Sequence, residues 1–227
     1  MSGSALPHTM VAMLADLVPI FGLRLRTPDL ELRLPTMAEL GDLGAVAEDG
    51  VHDPAFMPFF VPWTEFPNPG RGIVLHYLRT LGAWTPRDWH LDMVAYSDGA
   101  PVGKQTMSAK DFAVIREVHT GSWMGRRHHG RGLGTQMRAA LLALAFDGLG
   151  ATSARSAAFE DNPSSLRVSE KLGYRPDGIE IYARRGVAAR TQRLRLDLAD
   201  WRAVVRVPVE IEGLEPCLPM FGLEPKA

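Results

Sequence analysis

The segment Gly121–Arg138, GSWMGRRHHGRGLGTQMR, decides the fold class and most of the functional interpretation. It starts in a predicted strand, passes through a turn containing Gly130, Gly132 and Gly134, and opens the helix with the strongest apolar periodicity in the chain. Glycines let a backbone approach a bulky anion and expose its N–H groups, and a helix N-terminus adds a partial positive charge. The segment therefore predicts a cradle for the phosphates of a ligand.

Three arginines in the same turn, Arg126, Arg127 and Arg131, suit a pyrophosphate because a guanidinium group donates paired hydrogen bonds to phosphate oxygens. A P-loop is excluded because Gly134-Thr135 lacks the lysine that such a loop requires. A dinucleotide site is disfavoured because Thr135 stands where its third glycine belongs, and because a hairpin precedes the turn. A glycine-rich turn with a solvated arginine face is the alternative without a ligand.

The pattern that fits is R-x-x-G-x-G over Arg127–Gly132, which resembles the coenzyme A pyrophosphate motif of the GNAT acyltransferase superfamily. About 30 residues later, Asn162–Tyr174 is similar to that superfamily's N-x-x-(S/A)-x-x-(L/V)-x-x-x-x-G-(F/Y) segment. Two motifs in the right order are far more specific than either alone. The resemblance extends from about Leu23 to Leu198 and is closest to the RimJ/RimL-like branch, which acylates protein N-termini and related amines.

Several short phrases are similar to mycobacterial succinyltransferases of the same superfamily: Gly50–Pro54, Val61–Thr64, Gly121–Trp123 and Pro219–Gly222. The resemblance implies acyl-CoA as co-substrate, either acetyl-CoA or succinyl-CoA, and no metal. It implies transfer of the acyl group to a primary amine of a small molecule or peptide, by direct nucleophilic attack on the thioester.

The resemblance also implies the residues that contact coenzyme A. The turn would hold the pyrophosphate, the backbone of one strand would pair with the pantetheine arm, and an asparagine would lie beside that arm. The implied cofactor-binding residues are Trp123, Met124, Arg127, His128, His129, Gly130, Arg131, Gly132, Gly134, Thr135 and Asn162.

Amine acylation needs a base for the ammonium and an acid for the departing thiolate. His119 falls where many relatives carry an acidic residue, and imidazole titrates near neutral pH; a half-exposed sheet histidine without a role is the alternative. Glu117 and Glu160 are weaker candidates for the base. Ser169 stands seven residues after Asn162, where many members place a tyrosine. Because a serine hydroxyl is a poor acid, we expect Ser169 to hydrogen-bond the thiol or position a water.

The missing tyrosine supports a second hypothesis, a non-catalytic acyl-CoA-binding sensor or scaffold of the same fold. Release of coenzyme A thiol in the presence of amines separates this hypothesis from the enzyme.

The order of predicted elements indicates a mixed α+β fold. Strands are predicted over 30–34, 89–96, 102–109, 117–124, 152–159, 179–183, 194–198 and 207–211, and helices over 37–47, 73–83, 133–147 and 163–172. The resemblance implies a three-layer GNAT-like architecture: a central, mostly antiparallel twisted sheet with helices on both faces and a splay between strands 117–124 and 152–159. Residues 52–70, rich in Pro, Phe and Trp, are predicted to form an irregular loop that walls a substrate pocket or plugs the core edge.

Composition limits the partners. The 25 basic and 26 acidic residues give a net charge of −1, which disfavours nucleic acid. Adjacent His128 and His129 lack a third ligand at a suitable spacing, so no metal site is predicted. The single cysteine, Cys217, predicts a reducing compartment and hence the cytoplasm. A homo-oligomer is expected because the 52–70 loop and the C-terminal tail carry large apolar residues.

The apolar run Met10–Phe21 predicts neither a signal peptide nor a membrane span. No Lys or Arg precedes Arg24, and Asp16 and Pro19 interrupt the run. The expected domain organisation is an N-terminal extension over 1–22, an acyltransferase domain over 23–205, and a C-terminal strand with an extended tail over 206–227.

Overall fold

In the computed structural model, which describes residues 14–204 and 207–225, nine strands form one sheet. The strands are β1 Arg24–Arg26, β2 Glu31–Arg33, β3 Asp88–Ser97, β4 Ala100–Lys110, β5 Glu117–Met124, β6 Ser153–Phe159, β7 Arg175–Arg184, β8 Val187–Asp197 and β9 Glu210–Glu212. Their order is β7-β8-β6-β5-β4-β3-β2-β1-β9, and every pair is antiparallel except β5 with β6. The predicted mixed, mostly antiparallel sheet is confirmed.

The α-helices that follow the first strands are α1 Met37–Glu48, α2 Pro69–Gly82, α3 Phe112–Ile115, α4 Leu133–Ala143, α5 Pro163–Lys171 and α6 Leu198–Ala203. The apolar periodicity predicted for α4 is confirmed, because Leu133, Met137 and Leu141 are all buried. Each such side chain contributes about 1.5–3 kcal/mol when it is removed from water. None of the described helices is both long enough and apolar enough to cross a bilayer.

Helices cover both faces of the sheet. The pairing register places Asp92 of β3 and Gly121 of β5 on one face, called here the front face, and Thr120 on the opposite or back face. Thr80 of α2 donates a hydrogen bond to Asp92 (3.4 Å), so α2 lies over the front face. Tyr174, which follows α5, contacts Thr120 on the back face (3.1 Å between the hydroxyl oxygens).

The two central strands part as predicted. Parallel pairing of β5 with β6 covers three positions: Glu117 with Ser153, Val118 with Ala154 and His119 with Arg155. Beyond them β5 continues beside β4 and β6 continues beside β8. At the point where the two strands separate, called here the fork, the Ser156 hydroxyl donates a hydrogen bond to the Thr120 carbonyl oxygen (3.3 Å). A gap therefore opens between the second half of β5 and β6.

Helices α1 and α2 touch through their backbones, which fixes α2 over the sheet. A Cβ atom added at Gly70 would lie 2.5 Å from the carbonyl oxygen of Gly44, so no larger residue fits there without separating the helices. The Gly70 N–H also donates to the carboxylate of Glu48 (2.8 Å).

Several predicted boundaries were wrong. Helix α2 begins at Pro69 rather than at residue 73, because proline suits the first helical turn and the turn absorbs the end of the predicted loop. Strand β1 and helix α6, which have only three and six residues, were not predicted. The α-helical hydrogen bonding of α4 ends at Ala143, and a π-helical turn continues it to Gly148.

The C-terminal strand and the packing of the tail on the domain agree with the prediction, but the extended conformation predicted for the tail was wrong. It forms a 3₁₀ helix, Glu215–Phe221, rather than an extended segment, and it buries Cys217, Leu218 and Phe221. Residues 1–13 of the expected extension, and the boundary expected at 205–206, lie outside the described residues.

Helix α1 begins with a capping box that gives a testable pH dependence. The Glu39 carboxylate accepts the Thr36 N–H (2.8 Å) and two hydrogen bonds from Arg33 (2.5 and 2.9 Å). The bonds from Arg33 are the main reason that the pKa of Glu39 falls from 4.5 to about 2. Because the folded-state pKa lies below the unfolded value, the carboxylate stabilises the fold above about pH 4.5, and this contribution is lost towards pH 2.

Replacing Glu39 by glutamine is therefore expected to lower the free energy of unfolding by about 1–2 kcal/mol at neutral pH, a value reduced by solvent screening. The difference in the free energy of unfolding between the variant and the parent protein should decrease as the pH is lowered from about 4.5 to 2. Urea unfolding at a series of pH values measures it, with Asp42→Asn on the exposed side of the same helix as the matched control. A difference that stays constant with pH would contradict the assignment.

Candidate functional site

The glycine-rich turn has the backbone that its composition predicts. After β5 the chain forms a 3₁₀ turn, Arg126–His128, and then enters α4. Gly130 and Gly132 both have φ of +79°, a left-handed conformation that costs other residues about 1–2 kcal/mol. No atom lies within 4 Å of a Cβ added at either glycine, so the outer side of this backbone is open.

Five successive N–H groups in this turn have no acceptor among the described residues. No hydrogen bond in the described part of the chain uses the N–H groups of residues 130–134. The neighbouring ones are occupied: that of His129 donates to Arg126 (3.1 Å), and that of Thr135 donates to Gly132 (3.1 Å). Successive free donors at a helix N-terminus suit an anion, so the start of α4 is the candidate anion-binding site.

The basic side chains around the turn are held weakly. Arg127 forms an ion pair with Asp49 (3.2 Å) in which both side chains are more than half exposed, so turning the guanidinium towards a phosphate costs little. Burial, followed by the charge of Arg127, lowers the pKa of His128, which favours a neutral ring. Arg131 lines a surface cavity of about 640 Å³ beside Thr27.

The register of β5 shows which peptide groups face the gap. The Gly125 N–H donates to the Val102 carbonyl oxygen (2.9 Å), so by alternation Trp123 directs both of its peptide groups to β4. Ser122 and Met124 then direct theirs into the gap. Met124 therefore faces the gap as the sequence predicted, whereas Trp123 does not, and Ser122 faces the gap instead. Which residues of β5 face β4 depends on how the two strands pair, and the sequence of one strand does not show this.

Two further predicted residues flank this gap. The Asn162 side-chain oxygen accepts the Ser165 N–H (3.2 Å) and so caps α5, and its amide nitrogen has no partner among the described residues. His129 contacts the Met124 carbonyl oxygen through Nε2 (3.0 Å). One predicted residue from each side of the splay therefore borders the opening.

A buried polar cluster lies behind the gap on the back face. Ser169 is fully buried, accepts a hydrogen bond from Arg138 (2.7 Å) and donates one to the Ser165 carbonyl oxygen (3.0 Å). Its proton is therefore already engaged. Tyr174, whose pKa is raised by burial, contacts Thr120 at the fork. The sequence analysis missed Arg138, although an arginine on the apolar side of α4 was the available signal.

His119 is the candidate base that is free to act. It is exposed on the front face at the last position paired with β6, beside Arg155, and has no partner among the described residues. Glu117 is engaged: burial opposes its ionisation, but hydrogen bonds and charges, among them those of Arg155 and Arg195, lower its pKa overall. Glu160 is an exposed carboxylate paired with an arginine of β8.

The loop predicted over 52–70 crosses the splay on the front face. Trp63 packs against Trp123 of β5 (5.4 Å between ring centroids), and Phe60 packs against Phe159 of β6 (5.1 Å). Between them, Gly121 leaves open space, because no atom lies within 4 Å of a Cβ added there. Contacts to both strands favour a pocket wall over a plug at the core edge.

A buried ion pair supports the front face beside this space. The ammonium of Lys104 lies 2.9 Å from the Asp92 carboxylate, and both side chains are at least 94% buried. His90 and His76 approach the same carboxylate (3.4 and 3.8 Å), so three potential metal ligands lie within 4.8 Å of one another. Lys104 already neutralises this carboxylate. The sequence analysis did not find the cluster, because its members come from three separate elements.

Comparison with known proteins gives one consistent family. A family model described as an acetyltransferase (GNAT) domain matches residues 29–175, well over half of the chain. A GCN5-related N-acetyltransferase from Brucella melitensis is 19% identical with a TM-score of 0.63, and the match covers 79% of this chain and 80% of that one. These values describe the fold.

Two other solved structures carry more specific descriptions. RimL, a ribosomal L7/L12 alpha-N-protein acetyltransferase in complex with coenzyme A, is 13% identical, with a TM-score of 0.60 over 79% of this chain and 97% of that one. A spermidine N-acetyltransferase chimera from Vibrio cholerae and hSSAT is 13% identical, with a TM-score of 0.61 over 77% and 99%.

Proposed function

Since the chain belongs to the GNAT acetyltransferase family, we propose that it transfers an acetyl or succinyl group from acyl-CoA to a primary amine. The observation that supports this most directly is the row of free N–H groups at residues 130–134, which stands beside the gap between β5 and β6. Such a row fits the pyrophosphate of coenzyme A, and the gap fits its extended arm.

The residues that would hold acyl-CoA follow the gap. The free N–H groups, with Arg127 and Arg131, would bind the pyrophosphate. The peptide groups of Ser122 and Met124 and the amide of Asn162 would hydrogen-bond the arm. Four residues of strand, from Met124 back to the fork, span about 13 Å, so an arm that follows β5 brings its thioester close to Gly121.

The amine would approach from the front face, where Gly121 leaves space beneath the 52–70 loop. His119 would accept its proton, because imidazole is a base near neutral pH and this side chain is exposed and unpaired among the described residues. Acyl-CoA supplies the activated acyl group. Ser169 would position Arg138 rather than donate a proton, since its hydroxyl hydrogen is bonded to Ser165.

Thermal denaturation with each donor tests the proposal. Either acetyl-CoA or succinyl-CoA at about 100 times its dissociation constant is expected to add about 2.7 kcal/mol of stability and to raise the melting temperature. The donor that gives the larger shift per concentration is the preferred one. If neither thioester moves the transition, the proposed function is wrong.

The acceptor is then identified by release of coenzyme A thiol. The panel contains an N-terminal peptide and a polyamine, since two structural neighbours are described as acting on such amines. The engaged hydroxyl of Ser169 favours the second candidate, a non-catalytic acyl-CoA-binding module. Stabilisation by a thioester without thiol release above the rate in buffer, for every amine tested, would select that candidate.

A further inference from the structure

Arg138 is a buried cation without a charge partner in the described part of the chain. Arg138 is only 4% exposed, and its Nη1 donates to the Ser169 hydroxyl (2.7 Å), while its buried Nε has no partner. No ion pair joins it to a carboxylate among the described residues. A guanidinium stays protonated in proteins, and an uncompensated buried charge is strongly unfavourable. The unliganded protein therefore carries a buried positive charge that a bound anionic ligand would neutralise.

The position of Arg138 relative to the gap indicates where such an anion would lie. The gap between β5 and β6 closes at Thr120, where Ser156 bridges the strands. Tyr174 contacts Thr120 from the back face, and its phenol interacts electrostatically with Arg138. Arg138 therefore lies behind the closed end of the gap.

The glycine-rich turn that would hold the phosphates lies at the opposite end of the gap. Gly132 is the N-cap of α4 and precedes Arg138 by six residues, which corresponds to a rise of about 9 Å along the helix. A ligand whose phosphates occupy the cradle and whose arm follows the gap would bring its far end, the thiol, towards this guanidinium.

We propose that Arg138 supplies the positive charge that stabilises the thiolate of coenzyme A as it leaves. The inference rests on the proposed function, since it needs acyl-CoA in the gap. The amine nitrogen forms a bond to the thioester carbonyl carbon, the carbon–sulfur bond breaks, and its electron pair goes to sulfur. The amine proton passes to His119, and Arg138 keeps its own proton. Solvent later protonates the thiolate, and Ser169 positions the guanidinium throughout.

The ultraviolet absorption of the thiolate in the enzyme–coenzyme A complex tests this directly. With the parent protein, the pKa of the bound thiol is expected to lie at least about one unit below that of free coenzyme A, a tenfold effect. Arg138→Met should abolish this shift, and Arg138→Lys should restore part of it. Arg202→Met, an exposed arginine on α6, is the matched control and should leave the shift intact.

Steady-state kinetics provide the second readout. Arg138→Met should lower kcat about 100-fold, as loss of one stabilising donor does in other enzymes, and change KM for acyl-CoA only a few-fold. A residue that merely joins α4 to α5 would not move the thiol pKa.

Calorimetric titration of coenzyme A separates the possible failures. If the parent protein binds coenzyme A and its bound thiol has an unshifted or raised pKa, this inference is overturned and the proposed function stands. If the parent protein does not bind coenzyme A, both are overturned. If Arg138→Met does not fold, as judged by circular dichroism, the parent titration and Arg138→Lys decide alone.

Discussion

Aspartate in place of Gly132 is expected to weaken coenzyme A binding about 100-fold relative to asparagine at the same position, which is about 2.7 kcal/mol. Gly132 has φ of +79°, and aspartate and asparagine accept this conformation better than other non-glycine residues. Both side chains enter open space, so their steric cost is the same. The aspartate alone adds a negative charge beside the N–H groups that would bind the pyrophosphate. Two like charges about 4 Å apart repel by about 4 kcal/mol at an effective dielectric of 20, and solvent exposure reduces this.

Isothermal titration of both variants with coenzyme A measures the difference. The difference between the dissociation constants of the two variants should decrease as salt is added, because screening weakens interactions between exposed charges. Melting temperatures of the two unliganded proteins should agree, which shows that the fold is equally intact. Equal dissociation constants for aspartate and asparagine would place the phosphates elsewhere.

Asp92→Asn is expected to lower the free energy of unfolding by about 3–5 kcal/mol, because it leaves the buried ammonium of Lys104 without a counter-charge. Burial alone would raise the pKa of Asp92, but the charge of Lys104, followed by the hydrogen bond and charge of His90, holds it well below its ordinary value. The carboxylate therefore stabilises the fold throughout the neutral range, and that contribution is lost only in strong acid.

The double variant Asp92→Asn/Lys104→Met supplies the control. Removing both charges removes the unpaired ion, so the double variant should recover much of the loss seen in Asp92→Asn, with a clearly non-additive cycle. Urea unfolding of the parent, both single variants and the double variant gives the coupling. Additive losses would mean that the two groups do not stabilise each other.

The features that could be predicted are those that depend on one continuous segment of the sequence. Strand β5 has the bounds that its alternation predicted, and the free N–H groups lie in the glycine turn that follows it. Gly130 and Gly132 are informative on their own, because a left-handed backbone strongly favours glycine. A single stretch of sequence thus contains the strand, the turn and the helix that together form the candidate anion-binding site.

The parts that could not be predicted depend on residues from different elements. Ser122 replaces Trp123 in the gap because of pairing with β4, a tertiary property. Asp92 and Lys104 look like ordinary strand residues until α2 covers them. Arg138 could have been noticed on the apolar side of α4, but its lack of a carboxylate partner is visible only in the folded chain.

The loop over 52–70 touches both splayed strands, whereas the phosphate turn belongs to one continuous stretch beyond it. If the proposed function is right, selection of the amine and binding of the nucleotide depend on different segments, so that each segment can change in sequence without altering the other. Exchanging this loop between homologues, with Phe60 and Trp63 kept as its two anchors, is then expected to change the acceptor and to leave the affinity for acyl-CoA unchanged.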